Sequence, residues 1–152
     1  MCIRDRGATL NNISQIHKVR GDYETALSYL EKSLSISQEI GDRQGEGATL
    51  NNISQIYDAK GDYDTALSYL EKSLSIRQEI GDINGMAITL TNMGAMLFEQ
   101  EHYEKAIPLL MQAYQIFNKI GSPNVKAPSN YLGAIIERIG EERFKEIVDG
   151  IE

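Results

Sequence analysis

A repeat of forty residues dominates this sequence, and its second copy, from Gly47 to Met86, reads GATLNNISQIYDAKGDYDTALSYLEKSLSIRQEIGDINGM. Residues 7–46 (copy one) match this second copy at 31 of 40 positions, and residues 87–126 (copy three) carry a diverged version that begins AITLTNMGAML. A weaker fourth copy covers residues 127–150. A unit of this length is one supersecondary element that buries its apolar face only against its neighbours. The sequence therefore predicts a single array of stacked units over residues 7–150.

Each copy is predicted to contain two antiparallel helices joined by a short turn. In copy two, Leu50, Ile53 and Tyr57 recur at spacings of three and four, which is the pattern of one apolar helix face. Gly61 can adopt the left-handed conformation that ends a helix, and Asp62 can cap the next one. The second helices carry their own apolar stripes, formed by Tyr23, Ala26, Leu27, Leu30, Leu34 and Ile40, by Tyr63, Ala66, Leu67, Leu70, Leu74 and Ile80, and by Tyr103, Ala106, Ile107, Leu110 and Ile120. With no strand pattern in the sequence, an all-α fold follows.

The first six residues, MCIRDR, do not fit the repeat. They do not match their counterparts at residues 41–46, whereas identity begins at once at Gly7. The hexapeptide resembles the translated adaptor sequences that begin many metagenomic gene fragments. We therefore interpret residues 1–6 as a non-native leader and expect the first helix over residues 7–20, in a fragment of a longer array. The alternative is a native first turn that has diverged.

The C-terminal part predicts a shorter, degenerate helix pair. Gly121-Ser122-Pro123 is a stop followed by a restart, because proline is favoured at a first helical position. The next helix should begin near Pro128 and end at Gly140, followed by a short helix over residues 141–149.

Composition narrows the class of partner. The formal net charge of −7 argues against nucleic acid or an anionic membrane surface as the main ligand, since both require clustered Lys and Arg. Cys2 is the only cysteine, so no internal disulfide framework is possible. No apolar run approaches the roughly 18–20 residues that span a bilayer, and no secretory leader is apparent. We therefore expect an intracellular, cytoplasmic protein.

The motifs of copy two resemble those of the tetratricopeptide repeat. Leu50 takes the place of a large apolar residue, Asn52-Ile53-Ser54-Gln55 is similar to Asn-Leu-Gly-Asn, and Gly61-Asp62-Tyr63 with Ala66 fits without change. The period is forty residues rather than the more common one of about 34, as in repeats of kinesin light chains, spindle-orientation adaptors and bacterial multi-repeat proteins. The resemblance covers residues 7–126 strongly and residues 127–150 weakly.

This resemblance implies an α-solenoid, a right-handed superhelix with three clear repeats and a degenerate fourth. In the family the first helices line a concave groove that holds an extended peptide or a helix of a partner protein. The groove positions, on the face opposite the core stripe, are Asn11, Gln15, Lys18, Asn51, Gln55, Asp58, Thr91, Ala95, Phe98 and Glu99. Asn and Gln both donate and accept hydrogen bonds, as a peptide backbone requires. The alternative is a solvated polar face.

The asparagines one place later, Asn12, Asn52 and Asn92, are interpreted as structural residues that bond to the backbone of a neighbouring turn. His17 occupies the aromatic column of the repeat and His102 lies in a turn, so neither predicts a metal site. The sequence has no glycine-rich phosphate loop and no nucleophile elbow. We therefore predict no enzymatic activity, no metal and no cofactor.

The leading hypothesis is a protein–protein interaction scaffold whose groove binds a peptide or partner helix. The alternative is a regulatory or spacer segment attached to an enzymatic or signalling domain outside this sequence, and a hydrolase or transferase is a weaker third. The sequence leaves the partner and the oligomeric state open.

Overall fold

A computed structural model describes residues 2–151, and these residues form eight α-helices with no strand. The helices pack as consecutive antiparallel pairs, which confirms the predicted all-α repeat architecture. The chain divides into two compact units at the Asp82–Ile83 bond. Unit 1 contains α1 (Ile3–Val19), α2 (Tyr23–Ile40), α3 (Arg43–Ala59) and α4 (Tyr63–Ile80). Unit 2 contains α5 (Ile83–Glu99), α6 (Tyr103–Lys119), a 3-10 turn (Pro123–Val125), α7 (Lys126–Ile139) and α8 (Glu141–Asp149).

The turns of unit 1 use the predicted glycine and aspartate. Gly21 and Gly61 have φ of 76° and 78°, a left-handed conformation that suits glycine because it lacks a Cβ atom. Asp22 accepts a hydrogen bond from the backbone N–H of Thr25 at 3.3 Å, and Asp62 accepts one from Thr65 at the same distance. Each carboxylate satisfies a donor that the helix itself leaves unpaired.

The first helix begins at Ile3, not at Gly7, so the expected start was wrong. No proline or glycine interrupts residues 3–6, and the Cys2 sulfur accepts a 3.5 Å hydrogen bond from the Asp5 N–H at the N-cap. One period later, residues 43–46 likewise form the first turn of α3. Divergence in sequence therefore did not prevent these residues from continuing the helix.

The core of unit 1 lies between the paired helices. Ala26, Leu27, Leu30, Ile53 and Ile56 form one buried cluster, against which Tyr23, Leu34, Tyr57 and Tyr69 pack. Ala66 and Leu70 are fully buried at the same register positions of α4, as predicted. The stripe prediction missed Ile56. It was also wrong for Tyr63 and Ile80, which are exposed, with 41% of Ile80 accessible to solvent. Tyr63 and Ile80 are the first and last residues of α4, where fewer neighbouring side chains cover them.

Unit 2 has its own core, formed by Leu90, Ala106, Ile107, Leu110, Ala113, Phe117 and Ile135. Ile120, predicted as core, is 46% exposed because it lies at the C-cap of α6. Ser122 caps the 3-10 turn, Pro123 is its first residue, and Pro128 lies in the first turn of α7. The predicted C-terminal pair is therefore confirmed, including the bounds of α8.

No helix within the described part of the chain is both long and apolar enough to cross a membrane.

Candidate peptide-binding surface

Unit 1 contains a cavity of about 430 Å³ between the N-terminal halves of α1 and α3. The C-terminal half of α2 forms one wall. We call it the unit 1 cavity. Its lining combines small residues, hydroxyls, a carboxylate and amides, namely Arg4, Gly7, Ala8, Asn11, Asn12, Ser33, Ile36, Ser37, Ile40, Asp42, Gln44, Gly45, Ala48 and Asn52. The mixture of amide groups and small side chains is suited to the close approach of a polar chain.

One asparagine joins three helices beside this cavity. The amide nitrogen of Asn11 donates to Ser33 Oγ at 3.1 Å and to Thr49 Oγ1 at 2.9 Å. Its carbonyl oxygen accepts a 3.1 Å hydrogen bond from the Asn52 amide. Ser33 in turn donates to the Gly7 carbonyl at 2.9 Å. Asn11 therefore uses its amide to fix α1, α2 and α3 together and to orient Asn52 at the cavity.

These contacts change the interpretation of the asparagine columns. Asn51 was expected on the face opposite the core, open to a ligand, but only 7% of the residue is exposed, so this expectation was wrong. Asn11 is half-buried within the network above. Asn52 was expected to bond to the backbone of a turn and instead bonds to a side chain. Asn12 is exposed at the cavity. Asn12 and Asn52, which were interpreted as structural, therefore line the cavity together with Asn11.

Further along α1 and α3, the expected groove residues form a half-buried polar cluster. The Lys18 ammonium donates to Gln55 Oε1 at 2.6 Å. Burial lowers the pKa of Lys18, and the nearby negative charge of Asp58 opposes this shift. The Gln15 amide nitrogen is buried and has no hydrogen-bond partner among the described residues. The structure thus brings Gln15, Lys18, Gln55 and Asp58 to one end of the face that α1 and α3 share.

In unit 2 the expected groove residues are divided between core and surface. Thr91 and Phe98 are buried, Ala95 is half-buried and Glu99 is exposed. The Phe98 ring packs against Tyr103 and Tyr131, with ring centroids 5.7 and 5.3 Å away. The expectation that Phe98 faces a groove was therefore wrong, because the aromatic residues of α6 and α7 cover it.

Unit 2 has a second cavity, of about 240 Å³, at the matching place in the repeat. It is lined by Ile88, Thr91, Asn92, Phe117, Asn124 and Ala127. Asn92 is one and two periods after Asn52 and Asn12. The sequence identified this column but interpreted it as structural; that all three copies carry asparagine there, whereas the preceding position changes from Asn to Thr91, was the signal that could have pointed to a site.

The histidines have local partners. His17 stacks on Tyr29 with ring centroids 5.4 Å apart, and its Nδ1 lies 3.2 Å from an Asp22 carboxylate oxygen. Packing accounts for its place in the aromatic column. Within residues 2–151, no cluster of three or more His, Cys, Asp or Glu side chains could hold a metal ion.

The chain consists of tandem helix pairs that repeat every forty residues, with Gly-Asp turns whose aspartate caps the following helix. This arrangement defines a helical repeat protein. A family model described as "Tetratricopeptide repeat" matches residues 5–79 and 61–119. The chain belongs to the tetratricopeptide repeat family, whose fold generally mediates protein–protein interaction. The resemblance inferred from the repeat motifs is thereby confirmed.

The solved structures with a similar fold include proteins from two organisms. The crystal structure of BtubC (BKLC) from P. vanneervenii has a TM-score of 0.76 at 17% identity, covering 95% of this chain and 64% of that one. The second is a Podosopora anserina protein described as a kinesin light chain with nearly identical TPR-like repeats. It has a TM-score of 0.76 at 15% identity, covering 97% of this chain and 74% of that one. This chain therefore spans less than two thirds of the length of BtubC. A comparison with curated proteins gives no match.

Proposed function

We propose that this chain is a protein–protein interaction module that holds an extended peptide of a partner on its first helices. Asn12 and Asn52 are the main contacts in unit 1, and Asn92 is the equivalent contact in unit 2. The observation that supports this proposal is the recurrence of a cavity beside the same asparagine column in both units.

The chemistry of the amide suits a peptide backbone, because one side chain can donate to a carbonyl and accept from an N–H. The bond from Asn52 to Asn11 uses one amide hydrogen and fixes the side chain before a ligand arrives. A second amide hydrogen and the carbonyl oxygen of Asn52 face the ligand in this proposal. Pre-orientation reduces the entropy that binding would otherwise cost.

The test uses a peptide selected from a random-sequence display library against the full chain. Asn12→Ala should weaken its binding about tenfold or more, because a hydrogen bond lost at a desolvated amide costs about 1–3 kcal/mol. Asn12 is exposed, so the free energy of unfolding should change by less than about 1 kcal/mol. Gln78→Ala, an exposed amide on α4, is the matched control and should leave binding unchanged. Unchanged affinity of the Asn12→Ala variant in calorimetry would exclude this surface.

The alternative, a regulatory or spacer segment of a larger protein, makes a different prediction in the same experiment. A spacer would yield only peptides whose affinity is insensitive to substitution at Asn12, Asn52 and Asn92. Dependence of binding on this column separates the two functions.

A further inference from the structure

The second helices of copies one and two differ at two of their eighteen positions. Asp64 replaces Glu24, and Arg77 replaces Ser37. The second difference is large, because the arginine side chain has about five more heavy atoms than the serine side chain and carries a fixed charge, whereas serine ends in a hydroxyl. Two otherwise similar environments can therefore be compared with and without a guanidinium group.

The Arg77 side chain lies in a site made by three residues of unit 1. Its Nη1 donates to Asp82 Oδ2 at 2.7 Å, and its Nε donates to Ser73 Oγ at 3.3 Å. Its aliphatic stem passes over Gly47, where an added Cβ atom would lie 3.5 Å from Arg77 Cγ. Only 11% of the Arg77 side chain is exposed, so this is an enclosed guanidinium site.

Each of these three partners has an identical counterpart one period earlier, at Ser33, Asp42 and Gly7. All three line the unit 1 cavity, together with Ser37, whose side chain is too short to fill it. The unit 1 cavity is therefore the space that an arginine side chain occupies in copy two.

The carboxylate in the cavity is in position for a cation. Asp42 caps α3 through Oδ1, which accepts from the Gly45 N–H at 3.0 Å. Its Oδ2 lies 3.6 Å from the Nε of Arg4, whose side chain is 71% exposed, while the Asp42 side chain is only 17% exposed. Gly45 has no room for a Cβ atom, which would lie 2.5 Å from Asp42 Oδ2, so the backbone of α3 closes one side of the site.

We propose that the unit 1 cavity accepts an arginine side chain of the bound partner peptide. The guanidinium donates to Asp42 Oδ2 and Ser33 Oγ, and the stem lies over Gly7 and Ile36. The assignment rests on the proposed function and specifies which side chain the peptide presents. Lysine is a poorer ligand, because its ammonium lacks the planar array of donors that reaches two acceptors at once.

The probes are three capped, flexible Gly/Ser peptides that carry one central arginine, lysine or norleucine, titrated against the full chain and followed by NMR. The arginine peptide should bind about tenfold more tightly than the norleucine peptide, with the largest shifts at the Gly7, Ser33 and Asp42 amides. The lysine peptide should be intermediate. Equal affinity for the arginine and norleucine peptides would overturn the proposal. Equal affinity for ethylguanidinium and the arginine peptide would overturn the assignment to a peptide.

Two variants test the site without threatening the fold. Ser37→Arg should fill the cavity and abolish the preference for arginine, since α4 already carries arginine at this register position. Asp42→Asn keeps a good helix cap and removes the charge, so it should reduce the preference while thermal unfolding stays nearly unchanged. Retention of the preference in the Ser37→Arg variant would contradict the proposal.

The complementary variant is Arg77→Ser, which should leave Ser73 and Asp82 without the native guanidinium and add a second site for the arginine peptide. NMR shifts at Gly47 and Asp82 would report this second site, and their absence at saturating peptide would count against the proposal.

Failure of the arginine assignment can be distinguished from failure of the proposed function. If Asn12→Ala weakens binding of the display-selected peptide but Ser37→Arg leaves the arginine preference intact, the surface is right and the side-chain assignment is wrong. If Asn12→Ala has no effect, the proposed function itself fails.

Discussion

At Gly94, α5 has no room for a side chain. A Cβ atom built there would lie 2.5 Å from Leu110 Cγ and 2.6 Å from its Cδ2, and Leu110 is fully buried, so it cannot turn aside into solvent. Gly94→Ala should therefore destabilise the protein by about 1–3 kcal/mol, as expected for an overpacked core. Urea unfolding, followed by circular dichroism, measures this change.

Gly133→Ala is the matched control on α7, where nothing lies within 4 Å of the added methyl group. This variant should be neutral or stabilise the chain by up to about 1 kcal/mol, because alanine restricts the unfolded chain and favours a helix. The contrast between the two alanines isolates the steric cost at Leu110. If both variants unfold at the same urea concentration, the close approach of α5 and α6 at Gly94 is wrong.

The turn between α5 and α6 differs from the turns between α1 and α2 and between α3 and α4. Glu101 has φ of 61°, and among the described residues it is the only non-glycine with a positive φ. His102 occupies the N-cap of α6 without a side-chain capping hydrogen bond. Copies one and two have Gly-Asp at these positions, with capping bonds from Asp22 and Asp62. The chain has thus kept the shape of the turn after losing the residues that favour it.

Restoring the Gly-Asp pair should stabilise unit 2. Glu101→Gly removes a left-handed conformation that costs a non-glycine residue about 1 kcal/mol, and His102→Asp adds a cap of about 0.5–2 kcal/mol. The double variant should melt at a higher temperature than either single variant, as measured by calorimetry. The reverse exchange in unit 1, Gly61→Glu with Asp62→His, should lower the melting temperature. A double variant that melts no higher than the native chain would contradict this account of the turn.

The sequence predicted the ends of the helices better than it predicted which of their residues are buried. Turn chemistry is local, so Gly21-Asp22, Gly61-Asp62 and Gly121-Ser122 located the helix ends correctly. Burial is not local: the pattern of apolar residues assigns a face to each helix but does not reveal how far the next helix extends over that face. For this reason Ile56 was missed as core, and Ile80 at the last turn of α4 was predicted as core although it is exposed.

The candidate site was harder to predict for a related reason. A polar side chain that helical spacing assigns to the solvent side of one helix can instead form hydrogen bonds with hydroxyl groups of the next two helices. Asn11 does so with Ser33 and Thr49. Such a network depends on side chains from three helices, and helical spacing within one of them carries no sign of it. The Ser37 and Arg77 difference, by contrast, is visible in the sequence, but its meaning requires the positions of Asp42 and Asp82.

The net charge of −7 on the chain attracts any cationic peptide, whichever cavity the peptide enters. Long-range attraction of this kind does not distinguish arginine from lysine, since both carry one positive charge. Recognition at Asp42 does distinguish them, because it depends on the geometry of the guanidinium at short range. Ionic strength separates the two contributions.

Raising the salt concentration from about 0.05 M to about 0.5 M should weaken the arginine and lysine peptides by a similar factor, because the screening length falls well below 10 Å. The norleucine peptide, which carries no charge, should be nearly unaffected. The ratio of the arginine affinity to the lysine affinity should persist at high salt in the native chain, since the Asp42 side chain is largely enclosed and is screened less than surface charge. In the Ser37→Arg variant, which changes the net charge only from −7 to −6 but fills the cavity, this ratio should fall to about one at both salt concentrations. A ratio near one in the native chain would mean that the acidity of the molecule, and not the space beside Ser37, determines which peptides it binds.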